Sequence, residues 1–120
     1  MSSILRTIRK MVLGLPINSE DTDEEVAFDT DLIVHINSAF SILEQLGAGP
    51  EGGFMITGVD ETWEDFIGDA GIKVEMIKGY VYAKVKLIFD PPQSSSATEQ
   101  LDKAAREYEW RICEKYAAMK

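Results

Sequence analysis

Apolar residues recur at helical spacing in two segments of the first half of the chain. Within residues 3–13 they return every three or four positions, and Gly14 supplies a natural end. Residues 30–46 keep the same rhythm throughout and are followed by Gly47. Spacing of this kind puts the apolar side chains on one face of a helix. The pattern therefore predicts two amphipathic helices, of which the second has the more regular spacing.

The segment 72–89 is apolar on most sides. The part from Tyr80 to Leu87 alternates as a strand would, but Val74 and Ile77 also begin a stripe at helical spacing. The segment is 18 residues long without an internal turn signal, which is long for a strand and favours a helix. We predict that this helix is central in a bundle or covered by a partner, because it has more apolar surface than a small domain easily buries.

Two short patterns predict further helix beginnings. Thr62 and Asp65 have the spacing of a capping box, which predicts a short helix or a single turn at this point. Ser96 and Glu99 repeat that spacing and predict a last helix over about residues 96–117.

An acidic segment, about residues 17–28, separates the first two predicted helices. Its polar and strongly acidic composition predicts an exposed loop. At its end, Asp29, Thr30 and Asp31 offer side-chain oxygens to the free amides of the second helix, and their charge suits the helix dipole.

Two other stretches predict connections. Residues 47–60 are rich in glycine, and residues 54–56 within them could form a short extended piece. Asp90 is followed by Pro91 and Pro92, which cannot continue a helix and hold the preceding residue out of helical geometry. We predict a stiff elbow between the last two helices.

Length and composition fit one small globular domain. The chain has 120 residues, 45% of them hydrophobic, which is enough for one modest core. We therefore predict a single domain over residues 1–120 with an all-α fold: a small bundle of about four helices with a glycine-rich connection and a short extra helical turn.

Charge is distributed unevenly along the chain, whose net charge is −9. Residues 1–10 carry three basic residues and no acid, whereas residues 11–72 carry 14 Asp or Glu and no Lys or Arg. Residues 73–120 carry nine basic residues against seven acids. An acidic middle segment repels a phosphate backbone. This argues against tight DNA binding and leaves open a protein that sits near DNA without adhering to it.

Nothing in the sequence indicates a membrane-bound or disulfide-linked protein. No uninterrupted apolar run reaches 18 residues, so no membrane span is predicted. Arg6, Arg9 and Lys10 are interleaved with apolar residues, which is typical of an amphipathic helix and not of a signal peptide. Cys113 is the single cysteine and cannot form an intrachain disulfide, so we expect synthesis in the cytosol.

The acidic segment resembles half of a calcium-binding loop. Asp21, Asp23 and Glu25 have the alternate spacing of its first ligands. Val26 then stands where a glycine is needed, and Leu32 stands in place of the final bidentate glutamate. We therefore expect no metal site and a solvated acidic loop.

No pattern predicts catalysis or a cofactor. His35 is the single histidine and has no ligand partner at suitable spacing, and Cys113 has no histidine nearby in sequence and is expected to be a buried structural thiol. Glu61, Glu64 and Asp65 could form an acid–base pair, but exposed carboxylates on a short helix are commonplace. We predict that the protein is not an enzyme and binds no cofactor.

Several blocks, taken in order, resemble the head–tail connector (adaptor) proteins of long-tailed bacteriophages and related prophages. The resemblance covers nearly the whole chain and rests on order and spacing, since each block alone is weak. The blocks are FDTDLIVHINSAFSILEQLGAGP, TWEDFIGD, KGYVYAKVKLIFDPPQSS and EYEWRI.

The resemblance implies a small, mostly helical virion protein without catalytic residues. It implies a ring of roughly a dozen copies that docks beneath the portal protein, extends the DNA channel and meets a downstream tail-side connector or stopper protein. DNA would pass through without specific binding, and the protein would wait in the host cytoplasm before joining the head–tail junction.

The resemblance also suggests structural roles for particular residues. Trp63 and Phe66 would anchor the short 61–68 segment to the bundle, and Asp90, Pro91 and Pro92 would set the angle between the last two helices. Further structural or interface candidates on the last helix are Tyr108 and Trp110.

Two hypotheses from other classes remain open at this point. One is a small acidic interaction module that regulates another protein through its acidic loop. The other is a DNA-mimic inhibitor, which would use the acidic residues 11–72 to occupy a basic nucleic-acid site.

Overall fold

The computed structural model describes residues 3–68 and 73–118, and within these ranges all regular structure is helical. The prediction of an all-α bundle is confirmed. Four long helices form the bundle, and two short helices lie in its connections. The bounds are Ile4–Leu13 for α1, Asp23–Val26 for α2, Asp29–Gln45 for α3, Trp63–Ile67 for α4, Val74–Phe89 for α5 and Ser95–Ala117 for α6.

Helix α5 is the central element of the bundle. It packs against α6, α3 and α1. Its position follows from its composition, because Ile77, Tyr80, Val81 and Val85 form a fully buried stripe along one face and Ala83, 2% exposed, extends the buried surface to another side. The prediction of a central helix is confirmed. A covering partner, the other alternative, is not needed over most of its length, since Ile88 is its one exposed large apolar residue.

A close approach joins α5 to α6. Gly79 faces the ring of Tyr108, and a Cβ atom at position 79 would lie 2.7 Å from that ring. One residue further along each helix, the Tyr80 hydroxyl donates a 2.9 Å hydrogen bond to Glu109. Burial, together with this bond, raises the pKa of Tyr80. Tyr108 is thus an internal contact between two helices of one subunit.

The helix beginnings follow the predicted capping chemistry in one case out of three. At α4, Thr62 and Asp65 form the predicted capping box, with bonds of 2.9 and 3.2 Å to each other's amides. At α6, Ser94 caps the helix by accepting from the Ala97 amide at 3.1 Å, so the predicted Ser96 box is wrong by two residues.

Helix α3 has no side-chain cap. Phe28 occupies the cap position, and Asp29 already lies within the helix, so the predicted capping by Asp29, Thr30 and Asp31 is wrong. The physical reason is that Asp29 is engaged elsewhere, as the ion pair below shows. Asp29 and Asp31 still lie in the first turn, where their charge suits the helix dipole.

The glycine-rich connection contains no strand. Residues 54–56, predicted to be extended, are indeed not helical. Ile56 pairs with the side chain of Asn37 and not with another strand. Its backbone amide donates to the Asn37 side-chain oxygen at 2.7 Å, and its carbonyl accepts from the Asn37 side-chain nitrogen at 2.9 Å. Gly49 adopts a φ of 95° and lies so close to the Phe66 ring that a Cβ atom would approach it to 2.6 Å. This connection is therefore held against α3 and α4 by specific contacts.

The elbow after α5 has the predicted geometry. Asp90 leaves helical conformation, with φ −150° and ψ 69°, immediately before Pro91. Its carboxylate accepts a 2.8 Å hydrogen bond from Lys86 one turn back. Helix α6 then begins at Ser95.

Candidate assembly interface

The acidic segment is not the exposed loop that its composition predicts. It contains helix α2, which is capped by a reciprocal box between Thr22 and Glu25. Glu25 is only 4% exposed. Arg9 and Lys10 of α1, predicted to lie on the polar side of an amphipathic helix, are 1% and 0% exposed. The segment is therefore folded onto α1, with charged side chains between them.

These buried charges form one cluster. Arg9 pairs with Asp21 at 2.7 Å, with Glu25 at 3.1 Å and with Asp29 at 2.9 Å. Lys10 pairs with Glu25 at 2.5 Å. Three cations of α1 thus meet three carboxylates, which lets charges be buried at a tolerable desolvation cost. The members of this ionic cluster are Arg6, Arg9, Lys10, Asp21, Glu25 and Asp29.

The cluster also fixes the main chain of the acidic segment. Arg6 donates to the carbonyl of Ile17 at 2.7 Å and to that of Ser19. Lys10 donates to the carbonyl of Glu20 at 3.1 Å. We call residues 15–28, held in this way, the strap.

Electrostatics in the cluster favour the ionised carboxylates. The hydrogen bond from Lys10 is the largest influence on Glu25 and, against the effect of burial, lowers its pKa to about 2. Burial acts to raise the pKa of Asp21, but hydrogen bonds from Arg9 and Lys10 outweigh it and lower that pKa.

The shifted pKa of Glu25 predicts acid sensitivity with a definite sign. Its pKa is about 2 in the folded chain and 4.5 ordinarily, so its contribution to stability is complete above pH 4.5 and is lost as the pH falls towards 2. We expect the free energy of unfolding, measured in urea at a series of pH values, to fall across this range. Glu25→Gln should flatten this dependence of stability on pH, with Asp21 and Glu61, whose pKa values are also lowered, supplying what remains. An unchanged slope in the variant would show that Glu25 does not contribute.

The predicted anchors of the 61–68 segment lie in the core. Trp63 and Phe66 are 0% and 2% exposed. Phe66 packs against Phe40 and Phe54 with ring centroids 4.8 and 5.3 Å apart. These contacts attach the short helix α4 to α3. The same segment is attached to α1, because the amide of Ile4 donates a hydrogen bond to the carbonyl of Glu61, the residue before the N-cap of α4.

The other candidates lie on the surface or between helices. Asp90 and Pro91 are exposed and Pro92 is half-buried at the elbow, and Tyr108 is the contact to Gly79 described above. Trp110 is 65% exposed on the outer side of α6. The surroundings of Trp110 within one subunit give it no structural role.

Residues considered for chemistry have structural surroundings. The Glu61 carboxylate accepts hydrogen bonds from the amide and hydroxyl of Thr57 at 2.9 and 2.8 Å, so it orders the preceding loop. Burial opposes the ionisation of Glu61, but these bonds outweigh it and lower the pKa. His35 lies edge-on to Phe89 at 6.4 Å, and Cys113 is half-buried, less than expected for a core thiol.

Two further properties of the described ranges bear on function. Residues 3–68 and 73–118 contain no group of three or more His, Cys, Asp or Glu arranged to hold a metal ion. In the same ranges, every helix is too short or too polar to cross a membrane.

The observation that decides the family is a match along almost the whole chain. The model of a family described as phage connector protein matches residues 4–118, which include all six helices. The chain belongs to this phage connector family. The predicted resemblance to phage head–tail connectors is thereby confirmed, and the connector is a structural protein of the virion. Curated proteins and solved structures give no match to it.

Sequence reasoning missed the ionic cluster of this connector. It treated the basic first helix and the acidic segment as separate surfaces. A signal was present, since three cations without acidic neighbours are followed within 20 residues by a run of acids. That signal shows that the basic residues and the acidic residues could pair, but not that the pairs would be buried.

Proposed function

We propose that this connector forms a ring beneath the portal, extends the DNA channel and joins the phage head to the tail. The family match over residues 4–118 carries the proposal. Two features of the subunit support the proposal. A tryptophan on α6 is exposed and available for a contact between subunits. Most of the acidic residues lie in one part of the chain, residues 11–72. Acids lining a channel would let DNA slide without adhesion.

The proposed partners are further copies of the chain, the portal protein and a downstream tail-side connector or stopper. Roughly a dozen copies would complete the ring, and a cyclic arrangement needs two different surfaces on each subunit. A place at the head–tail junction, after a period in the host cytoplasm, follows from this role.

The ionic cluster argues against the DNA-mimic hypothesis. A mimic must present its carboxylates to a basic site, whereas Asp21, Glu25 and Asp29 are already paired with cations of the same chain. The acidic segment therefore offers less free charge than its composition indicates.

Electron microscopy of the protein mixed with its cognate portal tests the proposal. We expect ring-shaped density below the portal. A portal that remains bare at saturating connector concentration would contradict the proposed function. Tight competition with DNA for a nuclease or repressor would favour the inhibitor instead.

The elbow gives a second prediction about assembly. Replacing both Pro91 and Pro92 with alanine should loosen the angle between α5 and α6, because the two φ angles are no longer fixed by rings. We expect fewer rings on the portal in micrographs, while circular dichroism shows nearly unchanged helix content. Ring formation at the wild-type level would contradict an angular role for the elbow.

A further inference from the structure

Part of the strap has an inverted arrangement of side chains. Glu25 points into the cluster and is 4% exposed, whereas Ile17, Val26 and Phe28 are 47%, 43% and 41% exposed. A surface loop ordinarily does the opposite, because water solvates charges and apolar groups gain by burial. An ordered segment with its apolar residues outside has the character of a binding surface.

The exposed apolar residues of the strap continue onto the end of α5. The rings of Phe28 and Phe89 lie 5.5 Å apart in an edge-to-face arrangement. Ile88, next to Phe89 in the chain, is 57% exposed. We call Val26, Phe28 and Ile88 together the strap patch.

Free carboxylates neighbour the strap patch in the chain. Four exposed acids of the strap and the first turn of α3 form no ion pair with any residue that the structure describes. The patch is therefore apolar with an acidic rim, which fits a partner that is apolar and basic. These acids are Glu20, Asp23, Glu24 and Asp31.

The outer face of α6 has that complementary chemistry. Trp110 is 65% exposed, and Arg106 and Lys103 precede it by one and two turns on the same side of the helix. Arg111, beside it, is exposed as well. The two arginines pair with Asp102 and Glu107 along the helix, and such exposed pairs are weak enough to exchange partners. Tryptophan and arginine are the residues most enriched at the energetic centres of interfaces.

The two surfaces do not meet within one subunit, because Trp110 and the apolar residues of the strap patch are all exposed in it. Helix α6 packs mainly on α5, whereas α1, which holds the strap, packs on α3 and α5. A contact between them must therefore join different copies. Each subunit would keep one surface free for the next neighbour, which is the requirement for a ring or an open chain.

We propose that the α6 face around Trp110 docks on the strap patch of the neighbouring copy, with Lys103, Arg106 and Arg111 opposite the acidic rim. This inference rests on the proposed ring and specifies its contact. The glycine-rich connection also exposes apolar residues, Met55 at 66% and Val59 at 50%. The strap is the better docking site because the ionic cluster already orders it, so binding loses less conformational freedom.

Cross-linking between copies tests the contact directly. In a Cys113→Ser background, Ala27→Cys places a thiol between Val26 and Phe28, and Glu114→Cys places one a turn beyond Trp110. With the portal present and a short bismaleimide added, the double variant should give a ladder in steps of the 13.4 kDa chain. Each single variant should stay monomeric. A pair with Val59→Cys in place of Ala27→Cys is the matched control, and a ladder from it alone would assign the contact to the glycine-rich connection and overturn the proposal.

A second comparison uses two residues of nearly equal exposure, Trp110 at 65% and Met55 at 66%. Trp110→Ala should weaken ring assembly at least about tenfold, as expected for a central interface tryptophan, whereas Met55→Ala should leave it unchanged. Wild-type rings that persist in Trp110→Ala, with no ladder in the cysteine pair, would overturn the contact and leave the proposed ring intact. Absence of rings with the wild-type protein would overturn both.

Discussion

Trp63→Ala is expected to lower the free energy of unfolding by about 3–5 kcal/mol, the range for removing a large aromatic side chain from a core. Trp63 is 0% exposed, and its ring lies 6.4 Å from that of Phe40. It also begins α4, so the cavity would open where the short helix meets α3. Urea unfolding monitored by circular dichroism measures the loss.

The second tryptophan of the chain is the control for this experiment. Trp110→Ala removes the same side chain from a site that is 65% exposed, so we expect the stability of the monomer to change by less than about 0.5 kcal/mol. Equal losses in the two variants would show that the core does not depend on the anchoring of α4. Together with the assembly experiment, the pair separates folding from association.

Arg9→Ala is expected to cost about 3–5 kcal/mol, the range for breaking a buried ion pair by removing one partner. Arg9 is 1% exposed and contacts three carboxylates. Its loss leaves Glu25 facing Lys10 alone and removes the cation that pairs with Asp29. We expect the strap to detach before the bundle unfolds. Faster hydrogen exchange at residues 17–28 than in α5 would report that detachment.

Arg111→Ala supplies the matched control. Arg111 pairs with Glu107 at 2.8 Å, but both side chains are more than half exposed. Exposed pairs of this kind contribute roughly 0.3–0.5 kcal/mol. A comparable loss of stability in Arg9→Ala and Arg111→Ala would contradict the view that the cluster holds the strap in place.

The strap also explains how two predictions about separate segments failed together. The acidic segment was expected to be an exposed loop, and Arg9 and Lys10 were expected to lie on the polar side of α1. Each expectation treats charge as a reason for exposure. The structure shows that charges of opposite sign from the two segments, once folded together, can be buried as a neutral group.

The main helices of this connector follow from the sequence by itself. Period, length and helix breakers determine α1, α3 and α5 within one or two residues, because the spacing of apolar side chains is a local property. The elbow is equally local, since Pro91 constrains Asp90 through a steric clash between adjacent residues. The capping box of Thr62 and Asp65 spans a single helical turn, so it too is local and could be predicted from the sequence.

What tertiary structure decided is which side of each element meets another. The sequence marks Trp63 and Trp110 alike as anchors, and only the packing of α4 on α3 and of α6 on α5 makes one internal and the other exposed. Likewise, Asp29 could have capped α3, but Arg9, 20 residues earlier in the chain, binds its carboxylate. Such choices depend on contacts between residues far apart in sequence, and local spacing contains no information about which distant partner will be there.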